Sequence, residues 1–114
     1  MSKEDSRFFV ALYPGMARCF GSIARAIYLQ NLIYWSDKGH RKDGFIYKTK
    51  ESIEEETTLT RFQQDSCRKY FEKKGILETK LLKANGVPTL HYRVKNGIVR
   101  NLLNQSYNNL LFDE

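Results

Sequence analysis

Apolar positions predict that the first half of the chain forms a buried helix, a short strand and a short second helix. Residues 22–36 carry apolar side chains on more than one helical face, and Ser22 is suited to cap their N-terminus. A helix of this kind is buried on most sides, so it is predicted to be central. Phe45–Lys48 is typical of a short strand, and Thr49 can cap a helix that runs to about Glu56.

The segment from Thr60 to Lys74 carries helix signals at both ends. Thr60 and Gln63 have the spacing of a capping box, in which each side chain bonds the backbone of the other residue. Gly75 provides the left-handed residue that commonly ends a helix. A helix between these two points is the most strongly marked element of the chain.

Helical spacing divides the side chains of this segment into a packed side and a polar side. The packed side is predicted to face the central helix, and the polar side is predicted to face solvent or a partner. The packed side comprises Ser66, Cys67, Tyr70 and Phe71, and the polar side comprises Arg61, Asp65, Arg68 and Glu72, with Gln64 and Lys69 at its edges.

A β-hairpin is predicted to follow, because two strand-like runs are joined by Asn85-Gly86, a strong signal for a two-residue turn. This turn sets the register, which places Leu77 opposite Val94 and Ala84 opposite Val87. A shift of one residue would mix the apolar and polar faces. One face then carries Leu77, Leu81, Leu90, Tyr92 and Val94, while the other pairs Lys80 with His91 and Glu78 with Arg93.

Residues 1–19 and 96–114 are predicted to be appendages of a domain that covers 20–95. The apolar run at 8–13 ends at the turn signal Pro14-Gly15, which predicts a strand or an extended arm. The last segment has apolar residues at helical spacing but is rich in Asn, which indicates a marginal amphipathic helix that needs a surface. Those apolar residues are Leu102, Leu103, Tyr107, Leu110 and Leu111.

These elements predict an α+β fold: a winged helix-turn-helix, with a three-helix core and a two- to three-stranded β wing, followed by a C-terminal tail helix. A chain of 114 residues with 41% hydrophobic content fits one domain. Neither a secretory signal nor a membrane span is evident, so a cytoplasmic location is expected. Cys19 and Cys67 are expected to be reduced packing residues.

The net charge of +6 favours a polyanionic partner, and double-stranded DNA suits the predicted elements. The helix from Thr60 would enter the major groove, where Arg can bond guanine and Gln can bond adenine. The hairpin would lie along the backbone and offer cations to phosphates. The candidate DNA-binding residues are Arg61, Gln63, Gln64, Arg68, Lys69, Lys80, Lys83, His91 and Arg93.

Other interpretations of the same charges remain open. Oppositely charged pairs four residues apart, such as Arg61 with Asp65, are also typical of a solvated helix. Cations on the hairpin also protect an exposed strand edge, and the basic stretch from Lys38 to Lys50 fits either a backbone contact or a solvated loop. The alternative function is a protein-interaction module that uses the fold without reading bases.

Catalysis has little support in the sequence. His40 and His91 are the only histidines, and no motif brings either of them beside a cysteine. No glycine-rich phosphate loop or zinc-ligand spacing is present. The chain is therefore expected not to be an enzyme, and no cofactor or metal ion is expected.

Several segments resemble the N-terminal winged-helix domain of phage and plasmid replication-initiation proteins, including replisome organisers of the DnaD type. The similarity covers roughly residues 20–95 and is moderately specific. Its segments are Ile27–Trp35, Gly44–Thr49, Leu59–Gln64, Gly75–Leu77, Gly86–Pro88 and Tyr92–Val94.

The resemblance implies DNA binding near a replication origin, in replication initiation or its control, often with self-association. A homodimer and a replication protein are accordingly expected as further partners, and a role in transcription regulation remains an alternative to replication. By position, the resemblance places Arg61, Gln63, Gln64 and Arg68 on a recognition helix and Lys83 to Pro88 at the tip of the wing.

Overall fold

The computed structural model of the chain describes residues 14–112, and the predicted strand or arm at 8–13 lies outside this range. The described residues form an α+β structure with five helices and a three-stranded antiparallel sheet, an arrangement compatible with a winged helix. The elements are α1 (Pro14–Phe20), α2 (Ile23–Lys38), β1 (Ile46–Tyr47), α3 (Lys50–Thr57), α4 (Arg61–Lys73), β2 (Leu77–Ala84), β3 (Val87–Val94) and α5 (Asn96–Phe112).

Helix α1 was not predicted, because Pro14-Gly15 was interpreted as a turn that ends an extended arm. Proline is also favoured at the first position of a helix, where its missing N–H is not needed, and Pro14 begins α1 in this way. Gly21, at φ +83°, ends the helix, and its N–H donates to the carbonyl of Ala17 at 2.8 Å. Met16 and Phe20 are buried, so α1 contributes one side to the core.

The predicted central helix is confirmed as α2. The Ser22 hydroxyl accepts a hydrogen bond from the Arg25 N–H at 3.0 Å, which satisfies one of the free donors at the N-terminus. Ala26, Leu29 and Leu32 are all 0% exposed, and α2 contacts α1, α3, α4 and β3. The other helices and the sheet are therefore assembled around it.

The caps predicted for α3 and α4 are also confirmed. The Thr49 hydroxyl accepts from the Ser52 N–H at 3.0 Å. Thr60 and Gln63 form both bonds of the capping box, at 3.2 Å and 2.9 Å. Gly75 has the predicted left-handed conformation, with φ +73°. Three residues, 58–60, connect the two helices.

The hairpin has the predicted register, with Leu77 opposite Val94 and Ala84 opposite Val87. Strand β3 also pairs with β1, so the strand order is β1-β3-β2 and β2 lies at one edge. The core face extends only part of the way along the hairpin. Tyr92 is 1% exposed, whereas Leu81, predicted to share its face, is 64% exposed. The distal half of the hairpin therefore projects from the body of the domain.

An aromatic cluster joins α1, α2 and α4 in the centre of the core. The ring of Phe71 is 0% exposed. It packs edge-on against Phe20, with 5.2 Å between ring centroids, and lies parallel to Tyr28 at 6.3 Å. Aromatic side chains bury more apolar area per residue than most others, and this burial is favourable. The cluster therefore holds α4 against the central helix.

A partly buried carboxylate, that of Glu56, joins α2, α3 and the segment after β1. Oε1 of Glu56 accepts hydrogen bonds from Lys48 Nζ at 2.5 Å, Trp35 Nε1 at 2.9 Å and Asn31 Nδ2 at 3.0 Å. The side chains of Lys48 and Glu56 are 9% and 18% exposed. Of the three consecutive glutamates at 54–56, the first two are exposed, whereas Glu56 joins these elements.

The C-terminal segment forms a helix, as predicted, and this helix packs against α1. Val99 is 4% exposed, Leu102 and Leu103 pack against the core, and the thiol of Cys19 lies 3.6 Å from the carbonyl oxygen of Leu102. Cys19 and Cys67 are both free thiols. None of the helices within residues 14–112 has the length and hydropathy needed to cross a bilayer.

Candidate nucleic-acid interface

Helix α4 is rotated by about a quarter turn from the orientation predicted by spacing alone. Gln64, Cys67 and Phe71 form its buried side. The charged residues predicted to face outward lie along the flank toward α3 and β2. The side that faces away from the core is fully exposed and contains no carboxylate. This outer face of α4 comprises Phe62, Ser66, Lys69 and Lys73.

Gln64 is not on this surface, which corrects its predicted role as a base-contacting residue. Its side chain is 2% exposed. Its Nε2 donates to the carbonyl oxygens of Lys50 and Leu59 at 2.9 Å and 3.0 Å. The amide therefore ties the start of α4 to the start of α3 and to the turn between them.

We expect Gln64→Ala to lower the free energy of unfolding by about 1–3 kcal/mol, because the carbonyl oxygens of Lys50 and Leu59 would lose their hydrogen bonds from its amide. Chemical denaturation of the variant and its parent measures this difference. Gln63→Ala is the control, since Gln63 is exposed and loses only its half of the capping box. A Gln64 variant as stable as the parent would contradict the structural role.

Arg68 is also committed to the protein rather than presented to solvent. Its side chain is 21% exposed and lies 3.4 Å from a carboxylate oxygen of Asp65 and 3.3 Å from one of Glu72. Glu72 in turn accepts a hydrogen bond from Thr79 of β2. Arg68 therefore helps to join α4 to the sheet, and the predicted base contact from this residue does not fit its position.

Asp65 is neutralised by its neighbours. Lys50 Nζ lies 2.7 Å from its carboxylate, and Arg68 is the second partner. The hydrogen bond from Lys50 is the main cause that lowers the pKa of Asp65, so the carboxylate is charged and paired at neutral pH. Its negative charge is thus offset within the helix pair, not left at the surface.

The remaining predicted residues on α4 are exposed. Arg61 pairs with Glu51 at 2.6 Å, but both side chains are largely solvated, at 59% and 73% exposure. Such pairs contribute little to stability, so Arg61 can exchange its partner readily. Gln63 is exposed while its side-chain oxygen serves the cap. Lys69 and Lys73 form no ion pair with any residue in the described range.

His91 does not face solvent, which corrects its prediction as a phosphate contact. Its ring is 4% exposed, lies 5.5 Å from the Tyr47 ring and contacts Arg41, whose Nη1 is 2.6 Å from Nδ1. Burial, and secondly the charge of Arg41, lower the pKa of His91. The ring is therefore neutral at pH 7 and supplies no charge to a phosphate.

Lys80 and Arg93 lie on the sheet face that carries His91, around the ring of Phe45. Lys80 Nζ is 4.0 Å from the ring centroid and the Arg93 guanidinium is 5.1 Å from it. Arg93 also pairs with Glu78, and Lys80 lies 3.9 Å from Asp43. Both cations remain partly exposed, but acidic partners offset much of their charge.

Lys83 is the candidate that lies nearest the tip of the hairpin. It is exposed and, among the described residues, forms no ion pair. A groove of about 390 Å³ separates the distal hairpin from the starts of α3 and α4. The hairpin wall includes the exposed apolar residues Leu81, Val87 and Pro88. The charged residues of the helical wall are Lys48, Lys50, Arg61 and one carboxylate, Glu51.

Within residues 14–112, no group of three or more His, Cys, Asp or Glu side chains is placed to hold a metal ion. The site is thus defined by two surfaces: the outer face of α4, and the distal hairpin with Lys83. Comparison of the chain with protein-family models, with curated proteins and with solved structures finds no match.

Proposed function

We propose that this α+β domain is a winged helix that binds double-stranded DNA, with the outer face of α4 in the major groove and the β2–β3 hairpin along the backbone. The observation that carries the proposal is the charge of that face. Lys69 and Lys73 are exposed and unpaired among the described residues, and no carboxylate lies beside them on the outer face. Only the major groove is wide enough to admit a helix.

The pairing of the acidic residues on α4 supports the same proposal. Asp65 is held by Lys50 and Arg68, and Glu72 is held by Arg68 and Thr79. Carboxylates in such pairs repel phosphate less than free ones. Together with the net charge of +6, this leaves a positive surface on the exposed side of α4.

Each exposed cation has a definite role in this proposal. Lys69 and Lys73 contact phosphates that border the groove, since both project from the outer face. Arg61 leaves Glu51 for a phosphate or a guanine, at little cost because the pair is solvated. Lys83 contacts the backbone from the hairpin. Gln63, Lys80 and Arg93 are secondary contacts, because each already has a partner within the protein.

The biological process proposed for this binding is initiation of phage or plasmid replication, or its control. The resemblance of residues 20–95 to the winged-helix domain of replication-initiation proteins supports it. A second copy of the chain or a replication protein would then be a further partner. This process and these partners both require that the chain binds DNA.

We expect the double variant Lys69→Ala/Lys73→Ala to bind duplex DNA roughly 10-fold or more weakly than the parent, because hydrogen bonds to charged groups contribute about 1.5–3 kcal/mol each. Fluorescence anisotropy with a labelled duplex, at several salt concentrations, measures this loss. The slope of log affinity against log salt should become shallower by about 0.9 for each phosphate contact removed.

The matched control is Arg18→Ala/Arg100→Ala, which removes the same charge from exposed positions on α1 and α5. This control should retain nearly all of the parent's affinity. Equal losses in both double variants would indicate attraction by net charge alone and would contradict binding through α4.

A protein-interaction module is the second candidate, and one observation favours it. Leu81 and Val87 on the hairpin are 64% and 61% exposed, which is unusual for large apolar side chains on a solvated strand pair. If the parent protein shows no salt-dependent affinity for any duplex, the DNA proposal is wrong and this candidate takes its place.

A further inference from the structure

We infer that Phe62 selects thymine-containing sites by packing its ring against the C5-methyl groups of thymines in the major groove. This inference rests on the proposed binding of duplex DNA by α4. It goes beyond that proposal because it names the chemical group that is read and the residue that reads it.

No aromatic or cation–π contact among the described residues explains the exposure of Phe62. Its side chain is 82% exposed, more than any other large apolar side chain for which the structure describes burial. Its ring is absent from the aromatic and cation–π contacts of the described residues. Burying a phenylalanine is favourable by about 1.5–3 kcal/mol, so a ring left in water is a candidate contact for a partner.

The position of Phe62 puts this ring where a recognition helix meets the bases. It lies in the first turn of α4, on the outer face, one turn before Ser66 and two turns before Lys69. N-terminal residues of such helices contact base edges, and residues farther along contact the backbone. The outer face therefore presents an apolar group to the bases and cations to the phosphates.

Thymine is the base that fits an apolar side chain there. In the major groove, guanine, cytosine and adenine display hydrogen-bond donors and acceptors, whereas thymine also displays a methyl group. An apolar patch on a protein partner would also cover a phenylalanine, but Lys69 and Lys73 on the same face favour a polyanion. The charge of the surface thus favours DNA over a protein partner as the occupant.

The test compares two versions of one mixed-sequence duplex pool, synthesised with thymine in one and with uracil in the other. Uracil lacks the C5-methyl group and keeps the same hydrogen-bonding edges. The parent protein should bind the thymine pool about fourfold more tightly for each methyl group that it buries, from the transfer free energy of one methylene. In Phe62→Ala the ratio of the two affinities should fall to about one.

Two controls make the result specific. Lys69→Ala should weaken binding to both pools and keep the thymine preference, since it removes a phosphate contact. Tyr107→Ala removes another exposed ring, 59% exposed on α5, and should leave both affinities unchanged. Equal binding of the two pools by the parent, or a preference that survives in Phe62→Ala, overturns the inference while DNA binding stands. Failure of the parent to bind either pool overturns the proposed function as well.

Discussion

Replacing Phe71 with Ala is expected to remove about 3–5 kcal/mol from the free energy of unfolding, the largest effect we predict for a single substitution. The ring is 0% exposed and contacts the rings of Phe20 and Tyr28. Truncation would leave a cavity that these rigid neighbours cannot fill. The free energy of unfolding of a single domain is about 5–15 kcal/mol, so the variant retains only part of its stability. Urea denaturation at low temperature is therefore the suitable measurement.

The same helix provides a matched control for this substitution. Phe62→Ala makes the identical change at a side chain that is 82% exposed, and we expect it to alter stability by less than about 0.5 kcal/mol. The loss of stability in Phe71→Leu should fall between those of the two alanine variants, because leucine keeps part of the side-chain volume. If the Phe62 and Phe71 variants lost the same stability, the orientation of α4 described above would be wrong.

The second large effect is expected at Glu56, where Ala should lower the free energy of unfolding by about 3 kcal/mol. The substitution removes the acceptor of three hydrogen bonds and leaves Lys48, whose side chain is 9% exposed, without its carboxylate partner. An uncompensated buried charge is the main cost. In a thermal scan the midpoint should fall by about 10 °C or more.

Glu55→Ala is the control for this site, because Glu55 is exposed and precedes Glu56 in the same helix. Its effect should be near zero. Glu56→Gln should lie between, since the amide oxygen still accepts hydrogen bonds from Trp35 and Asn31 but carries no charge. Equal stability of Glu56→Ala and Glu55→Ala would contradict the view that this carboxylate holds α2 and α3 together.

The features that the sequence predicted well are those that depend on neighbouring residues. The capping box at Thr60 and Gln63, the left-handed Gly75 and the register set by Asn85-Gly86 are each determined within a few residues. Local sequence therefore carries enough information to place them. The α+β class and the helical C-terminal segment follow from hydrophobic spacing in the same way.

The rotation of α4 was predicted less well, because it depends on contacts with other elements. Grouping Ser66 with Cys67 and Phe71 treated a small polar residue as part of the packed side, whereas Gln64 occupies that place. Two carbonyls, from Lys50 and Leu59, make a buried glutamine acceptable there. One signal could have indicated the outer face: Phe62, Ser66, Lys69 and Lys73 recur at helical spacing opposite Cys67 and Phe71.

The burial of His91 could not be predicted from the hairpin alone. The pairing of Lys80 with His91 suggested a polar, solvated face, and the register is as predicted. The ring is covered by Arg41 and Tyr47, which come from a loop and a strand far away in sequence. Propensity and periodicity contain no information about such long-range contacts. The contacts of His91 with Arg41 and Tyr47 are therefore visible only in the structure.

The central position of β3 in the sheet has a consequence for synthesis on the ribosome. Within residues 14–112, strand β1 pairs only with β3, through Ile46 with Tyr92 and Tyr47 with His91. Strand β3 is synthesised after α3, α4 and β2. At about 5–20 residues per second, β1 waits on the order of a few seconds for its partner. The helical core can form during this interval. Pairing of β1 with β3 is therefore a late step in folding during synthesis.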